Sequence, residues 1–268
     1  MKNFFSAILV MIISTTAVLS DNATLSERIQ NPVFIVLTEN NDAFNNAVKI
    51  AVENNWSISN YAFISHEEYK EVKRTSENLF IMLIENESVD GSSYTYPYVL
   101  ESFYITRGSY RYNVSGAPLL NVSNESMHAE VFNGIRLLQD KLSFKIASET
   151  KETEFVSFND AVRSRTSIVK MKKLYISEED LDKNILTIDA IKNIYNGEVI
   201  IVSNEELAEI VQSNTDVLYV TVNNFKNGLG YTNFKQVIDA GTGSVMYNNE
   251  IKSVKPLAFN KSDFESLK

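Results

Sequence analysis

Two four-residue runs carry the most suggestive spacing of ionisable groups in the chain, Ser65-His66-Glu67-Glu68 and Ser203-Asn204-Glu205-Glu206. Paired glutamates repeated in this way could do general acid and base work or hold a metal. The same S-x-x-E pattern is also a capping box, in which the Ser hydroxyl accepts from the N3 amide and the Glu carboxylate reaches back to the cap amide. Capping explains the spacing better, so Glu68 and Glu206 are expected to be structural. His66 and His128 are the only histidines, each near a helix start, and two isolated imidazoles make a poor acid–base set. With no Cys, thiolate chemistry, disulfides and cysteine zinc sites are excluded. The G-x-S-x-G, Walker, G-x-G-x-x-G and H-E-x-x-H signatures are missing as well. No catalytic residue, cofactor or metal site is therefore expected.

Tyr94, Tyr96, Tyr98, Tyr104, Tyr110 and Tyr112 crowd into one short stretch with Gly and Ser between them. Tyrosine offers wide contact area at low entropic cost, so an exposed cluster would suit a glycan or protein partner. The competing expectation is alternating strands that bury one ring face. Trp56 and its counterpart Tyr195 read as core packing.

The elements that would position these residues follow from hydrophobic period. Val33 to Thr38 reads as a strand, the Phe44, Ala47, Val48, Ala51, Val52 stripe as a helix, and Tyr61 to Ile64 as a strand. A short helix from His66 and a buried strand, Leu79 to Ile84, complete a β-α-β-α-β order. The order recurs in the second half as Leu174–Ser177, Ile188–Tyr195, Glu198–Val202, Glu205–Val211 and Val217–Val222. Ser65 then matches Ser203, Glu67 matches Glu205, and an ungapped alignment from Ile64 to Glu101 pairs Val99 with Val237. A further strand follows in each copy, Tyr98–Thr106 and Asn233–Asp239, and in the second Asp239–Ser244 reads as a hairpin turn before Val245–Tyr247. The expected fold is α/β with mixed sheets, as two tandem β-α-β-α-β-β repeats. The first repeat gains a long helix from Met127 to about Ser148, placed to pack between the units, and the second stops where that helix would begin. The expected organisation is a signal peptide at 1–20, a first repeat at 31–148, a linker at 149–171 and a second repeat at 172–268. Arg163, Arg165, Lys170, Lys172 and Lys173, with no acid between 161 and 173, form either a docking patch or a solvated face.

The second copy's EVIIVSNEELAEIVQSNTDVLYVTV followed by KQVIDAGTGSVMY resembles the α/β domain of the curli-pore-subunit (CsgG) family and its TolB amino-terminal-like relatives in bacterial envelopes. There a strand, an acidic-capped helix and a strand lead to a D-x-x-T-G hairpin. The resemblance implies a non-catalytic envelope assembly or interaction module. The first copy lacks the hairpin signature, and no Cys is present for a lipid tether. The element order also resembles a thioredoxin-like fold, without its C-x-x-C. Asp239-Ala240-Gly241 is similar to the D-[ST]-G loop of aspartic proteases, but Ala240 stands where the hydroxyl residue belongs.

Lys2 followed by an uncharged apolar stretch, Phe4 to Leu19, reads as an export signal cleaved after Ser20. No later segment is apolar enough to span a membrane. A net charge of -9 argues against nucleic-acid partners. Seven N-x-S/T sequons, at Asn22, Asn55, Asn86, Asn113, Asn121, Asn124 and Asn260, are what a chain with 29 Asn produces by chance and say little. Together these readings favour an exported, periplasmic or extracellular, non-catalytic binding or envelope-assembly protein with a protein or glycan partner. The alternative is a hydrolase of cell-envelope or extracellular polymers working through a carboxylate pair, for which the mark would be a cleft holding two carboxylates.

Overall fold

The computed structural model describes residues 23–73, 78–86, 96–106, 110–120, 122–123, 127–212 and 215–268. The proposed export signal and Tyr94 lie outside these residues. The first unit runs α1 (Leu25–Arg28), β1 (Val33–Val36), α2 (Asp42–Asn55), β2 (Tyr61–Ile64), α3 (His66–Val72), β3 (Phe80–Glu85), β4 (Tyr98–Ile105), β5 (Arg111–Leu119) and α4 (Met127–Glu149). The second runs α5 (Phe158–Val169), β6 (Leu174–Ser177), two 3-10 turns at 178–180 and 183–185, α6 (Ile188–Lys192), β7 (Val199–Val202), α7 (Asn204–Gln212), β8 (Leu218–Asn227), β9 (Gly230–Asp239), β10 (Val245–Ser253) and α8 (Lys261–Glu265). The strand orders are β2-β1-β3-β4-β5 and β7-β6-β8-β9-β10, the same order in both. In each, three parallel strands are extended by two antiparallel ones. The chain is thus a mixed α/β protein with two similar sheet units; β5 is a strand the sequence reading lacked, and β10 extends the strand expected at Val245–Tyr247 to Ser253.

Local chemistry explains the boundaries. Asn41 Oδ1 accepts from the Phe44 amide at 3.0 Å and starts α2, whose Phe44, Ala47, Val48, Ala51 and Val52 stripe is buried. Ser65 and Glu68 form the expected box at α3, with Ser65 N donating to Glu68 Oε2 at 2.7 Å and Glu68 N to Ser65 Oγ at 3.1 Å. Ser203 and Glu206 repeat it at α7, at 2.9 and 3.2 Å. Ser65→Ala should cost about 0.5–2 kcal/mol, whereas Glu68→Gln should leave the urea midpoint nearly unchanged because Gln fills the same role. A midpoint that drops as far for Glu68→Gln as for Ser65→Ala would show that the carboxylate charge matters beyond the cap.

The repeat is real in topology, yet the ungapped register is not. Strand pleating puts Val33, Ile35, Leu79 and Ile81 on one face of the first sheet and Phe34, Val36 and Phe80 on the other. In the second sheet Leu174, Ile176, Leu218 and Val220 share a face opposite Tyr219. Matching faces pairs Leu79 with Leu218 and Phe80 with Tyr219. Cross-strand partners Phe80↔Phe103 and Tyr219↔Ile238 then make Phe103 the counterpart of Ile238, so Val99 and Val237 do not correspond. The connection at 86–97 has shrunk in the second unit to a turn at Gly228 and Leu229, with Gly228 at φ 58°.

The two units pack face to back. In the first, α2 and α4 cover the face that carries Val33 and Ile35, while Tyr69 and Val72 of α3 cover the opposite face. In the second, Ile191 of α6 lies on the face equivalent to the α2 face, while Leu207 and Val211 of α7 join the central cluster. The central core therefore joins the α2/α4 face of one unit to the α7 face of the other, and runs continuously from Val33 to Tyr219, Ile238 and Val245. As expected, α4 sits between the units. Its counterpart α8 has five residues and, with Phe259 and Leu267, closes the outer face of the second unit.

Within 149–171, expected as a linker, α5 packs along β10 by burying Ala161 and Val162. The basic segment is consumed in the same place. Arg165 pairs with Asp140 at 2.7 Å and donates to Val245 O, Lys172 pairs with Asp239 at 2.7 Å and with Asp216, Lys173 with Glu198 at 3.3 Å, and Arg163 with Asp160 at 3.5 Å. Lys170 is exposed. Rather than offering a patch of free cations, the segment ties α5 to α4 through Asp140 and braces the second unit through Asp216, Asp239 and Glu198. Along β5, Lys141 donates to Gly116 O at 2.8 Å and Lys145 to Val114 O, which places charged groups beside an open edge.

Candidate functional site

A cavity of about 470 Å³ opens where α4 enters the second unit. It is lined by Leu207, Ala208 and Val211 of α7, by Tyr219, Val220, Thr221 and Asn223 of β8, and by Glu130, Asn133, Asp180, Asn204 and Glu205. Asp180 follows β6, and Asn204 follows β7. These neighbouring parallel strands send their chains to opposite faces, through α6 and α7, and open α/β sheets form ligand crevices at such carboxyl ends. The first unit has the equivalent crevice after β1 and β2, about 360 Å³ in volume, lined by Thr38, Glu39, Asn40, Asn45, Ser65, His66 and Glu67. The matched pairs Glu67/Glu205 and His66/Asn204 therefore face equivalent crevices, while Glu68 and Glu206 are spent on caps. Only the second crevice gains a wall from α4.

Asp180 is the unusual group. Burial pushes its carboxyl up to about 7, Glu179 beside it adds to the shift, and a hydrogen bond from the Val222 backbone opposes it. Glu130 is already engaged, its Oε2 accepting from Leu120 N at 2.7 Å. Ser177 Oγ donates to Asn204 Oδ1 and so joins the ends of β6 and α7. Asn133 accepts from the Tyr219 hydroxyl at 2.5 Å, tying the α4 wall to the β8 wall.

The raised Asp180 value gives a pH prediction. An unfolded aspartate titrates near about 3.9, so the folded chain holds an extra proton between that value and about 7. Stability should fall as pH rises across that window and stay lowered above it. Asp180→Asn should flatten this slope and add about 1–2 kcal/mol at pH 8, a three-unit shift being worth about 4 kcal/mol before the water in an open cleft screens it. Urea midpoints from pH 4 to pH 8 measure it, and parallel slopes for the two proteins would refute it.

Among the described residues, the tyrosines do not form one surface. Tyr96 packs edge-on against Phe225 and Phe234 of the second unit, at 4.9 and 5.6 Å, and donates to Glu250 at 3.5 Å. Burial, then Glu250, raises its hydroxyl well above the ordinary range. Tyr98 and Tyr104 pack against the central core. Arg28 lies 3.9 Å from the centre of the Tyr104 ring, and Tyr112 stacks on that ring at 4.9 Å. Tyr110 and Tyr112 are exposed. Trp56 and Tyr195 are buried, as expected of core residues. His66 lies in the first crevice, 5.9 Å from the Tyr69 ring, and His128 is half-buried near the start of α4.

The Asp239 loop is structural. Asp239 Oδ1 accepts from the Gly241 and Thr242 amides at 2.9 and 3.0 Å while Oδ2 meets Lys172. That leaves the carboxylate committed to a turn and an ion pair. Four sequon asparagines have side-chain hydrogen bonds too, Asn55 accepting from Arg136, Asn86 donating to Tyr96 O, Asn113 accepting from Arg111 and Asn260 capping α8. Among the described residues no helix is long and apolar enough to cross a membrane, and no group of three or more acidic, His or Cys side chains is placed to hold a metal.

Fold and cleft define a two-unit mixed α/β protein with crevices at the ends of its parallel strands. Comparison with protein-family models, with curated proteins and with solved structures finds no match.

Proposed function

We propose that this is an exported, non-catalytic binding or envelope-assembly protein whose ligand seat is the cleft between α4, α7 and the ends of β6 and β7. The observation that carries the reading is the cleft itself. Its volume falls within the roughly 300–1,000 Å³ usual for ligand pockets, and the pinning of α4 to β8 keeps its walls in place. The placement of the tyrosines moves the contact surface away from the Tyr-rich stretch, leaving Tyr110 and Tyr112 as a secondary exposed pair.

The test is thermal stability with and without fractionated envelope extract. A ligand at about a hundred times its Kd stabilises by about 2.7 kcal/mol, so wild type should gain several degrees in Tm. Ala208→Trp, which fills the cleft, should gain none. Equal shifts in both proteins would move the site elsewhere, and no shift in either would end the reading. One observation favours a second reading, a hydrolase of envelope polymers. Asp180, whose carboxyl burial pushes up to about 7, lines the same cleft as Glu130 and Glu205, and a raised carboxyl in a cleft with other carboxylates suits a general acid. Shorter polymer fragments released by wild type and lost in Asp180→Asn would decide for it.

A further inference from the structure

The chemistry of the cleft wall goes further than its volume. Its lining contains Glu130, Asp180 and Glu205, the amides of Asn133, Asn204 and Asn223, and no Lys, Arg or His. One side is apolar, formed by Leu207, Ala208 and Val211 along α7. The counterpart crevice differs on both counts, with His66 where Asn204 stands and without the α4 wall. Asp180 is half-buried at the end of β6, where the Val222 backbone is its neighbour and Glu179 adds repulsion.

We propose that the cleft between α4 and α7 binds an alkyl-ammonium group, with the cationic head at Asp180 and the methylene stem along Leu207 and Val211. This rests on the cleft being the ligand seat. A carboxylate removed from water is costly unless paired, and an ammonium ion supplies the missing charge together with donors for the surrounding amide oxygens. The apolar α7 side suits a stem of several methylenes, which buries hydrocarbon while the head stays polar. Anionic ligands meet Glu130 and Glu205 on the same lining and keep Asp180 protonated, whereas a cation favours its charged form, and neutral polyols forgo the ion pair. The group could be a free polyamine or a lysine side chain on a protein, two sources sharing one chemistry.

Calorimetric titration of the purified protein with cadaverine, the peptide Gly-Lys-Gly, 1,5-pentanediol and glutarate tests the proposal and separates the sources. Both cations should give saturable binding, with pentanediol at least about tenfold weaker, equal to about 1.4 kcal/mol, and glutarate silent. Tighter binding of cadaverine marks a free amine as the source, and tighter binding of the peptide marks a protein lysine. Asp180→Asn should weaken both cations about tenfold or more, while Glu198→Gln, whose carboxylate pairs with Lys173 outside the cleft, should leave them unchanged. Pentanediol binding as tightly as cadaverine, unchanged cation affinity in Asp180→Asn, or no cation binding at about 10 mM would each overturn it. If the cations fail while an extract component still stabilises wild type and not Ala208→Trp, the ligand class is wrong and the cleft remains the site.

Discussion

Arg136→Ala is expected to lower folding stability by about 3–5 kcal/mol, the range for breaking a buried charged network, and to loosen the second unit from α4. The guanidinium is 1% exposed and reaches across the junction of the units. Nε donates to Asn55 Oδ1 at 2.7 Å, Nη1 to the Tyr219 hydroxyl at 3.0 Å and Nη2 to Ala240 O at 2.8 Å. Truncation leaves these acceptors buried without their donor, and that penalty exceeds the net worth of the bonds. Gly243 supports the same contact. It has φ 73°, and a Cβ there would lie 2.8 Å from Arg136 Cγ, so Gly243→Ala meets backbone strain and a clash together. In the double variant the 2.8 Å contact with Cγ is gone, while the 3.1 Å approach to the Cβ at 136 and the strain stay, so the two costs should fall short of additive. Urea unfolding of the four proteins measures this, and strict additivity would show that Gly243 and Arg136 act separately.

This junction also shows where sequence reading stopped. Val33–Val36 and Phe80–Glu85 are apolar runs with turn signals around them, and the α2 stripe has a clear helical period, so those elements were legible in one dimension. So were the two capping boxes, because a box is a four-residue interaction. Strand β5 was not, since Arg111–Leu119 mixes Arg, Asn, Ser, Gly and Pro with its apolar residues and has no clean alternation. Its inward residues, Val114, Ala117 and Leu119, declare themselves only once α4 lies on them. Helix α5 was hidden by its charges, which read as a docking patch or a solvated face until partners such as Asp140, distant in sequence, were in view. The cleft was the least legible feature. Asp180 is one acid in Glu178-Glu179-Asp180, and its desolvation arises from α4, β8 and α7 meeting above it. The hint available in the sequence was an acidic run directly after a strand of a β-α-β unit, where crevices form.

Face-to-back stacking explains why the second copy differs from the first. Repeats joined in this way leave one open face at each end, and end units need a closing element. The α2/α4 face of the first unit is covered by the second unit. Its counterpart on the second unit is closed by residues 259–267. The long α4 fills the position between the units, and the short α8 serves the outer face.

Asp263→Asn should therefore be the second severe variant, costing about 3–5 kcal/mol, because it strands a lysine inside that closing element. Lys235 is fully buried and its Nζ lies 2.6 Å from Asp263 Oδ2, with side-chain exposures of 0% and 2%. The carboxylate also accepts from the Tyr247 hydroxyl at 2.8 Å, from Asn249 at 3.1 Å and from the Asn260 amide at 2.9 Å. The two partners are consequently not equivalent. Lys235→Met leaves a carboxylate that keeps three donors, so it should cost less, about 2–3 kcal/mol. Removing both charges with Lys235→Met and Asp263→Asn together should recover most of the loss, since an apolar replacement of a buried ion pair is often close to neutral. An amide at 263 has one acceptor oxygen, so it can keep the Tyr247 and Asn249 donors at Oδ1 but not the Asn260 amide at Oδ2, and the double variant should retain a capping loss of about 1 kcal/mol. Urea midpoints rank the three, and amide exchange in α8 should rise most in Asp263→Asn. A double variant as unstable as the sum of its parents would show that Lys235 and Asp263 are held by their separate surroundings and not by one another.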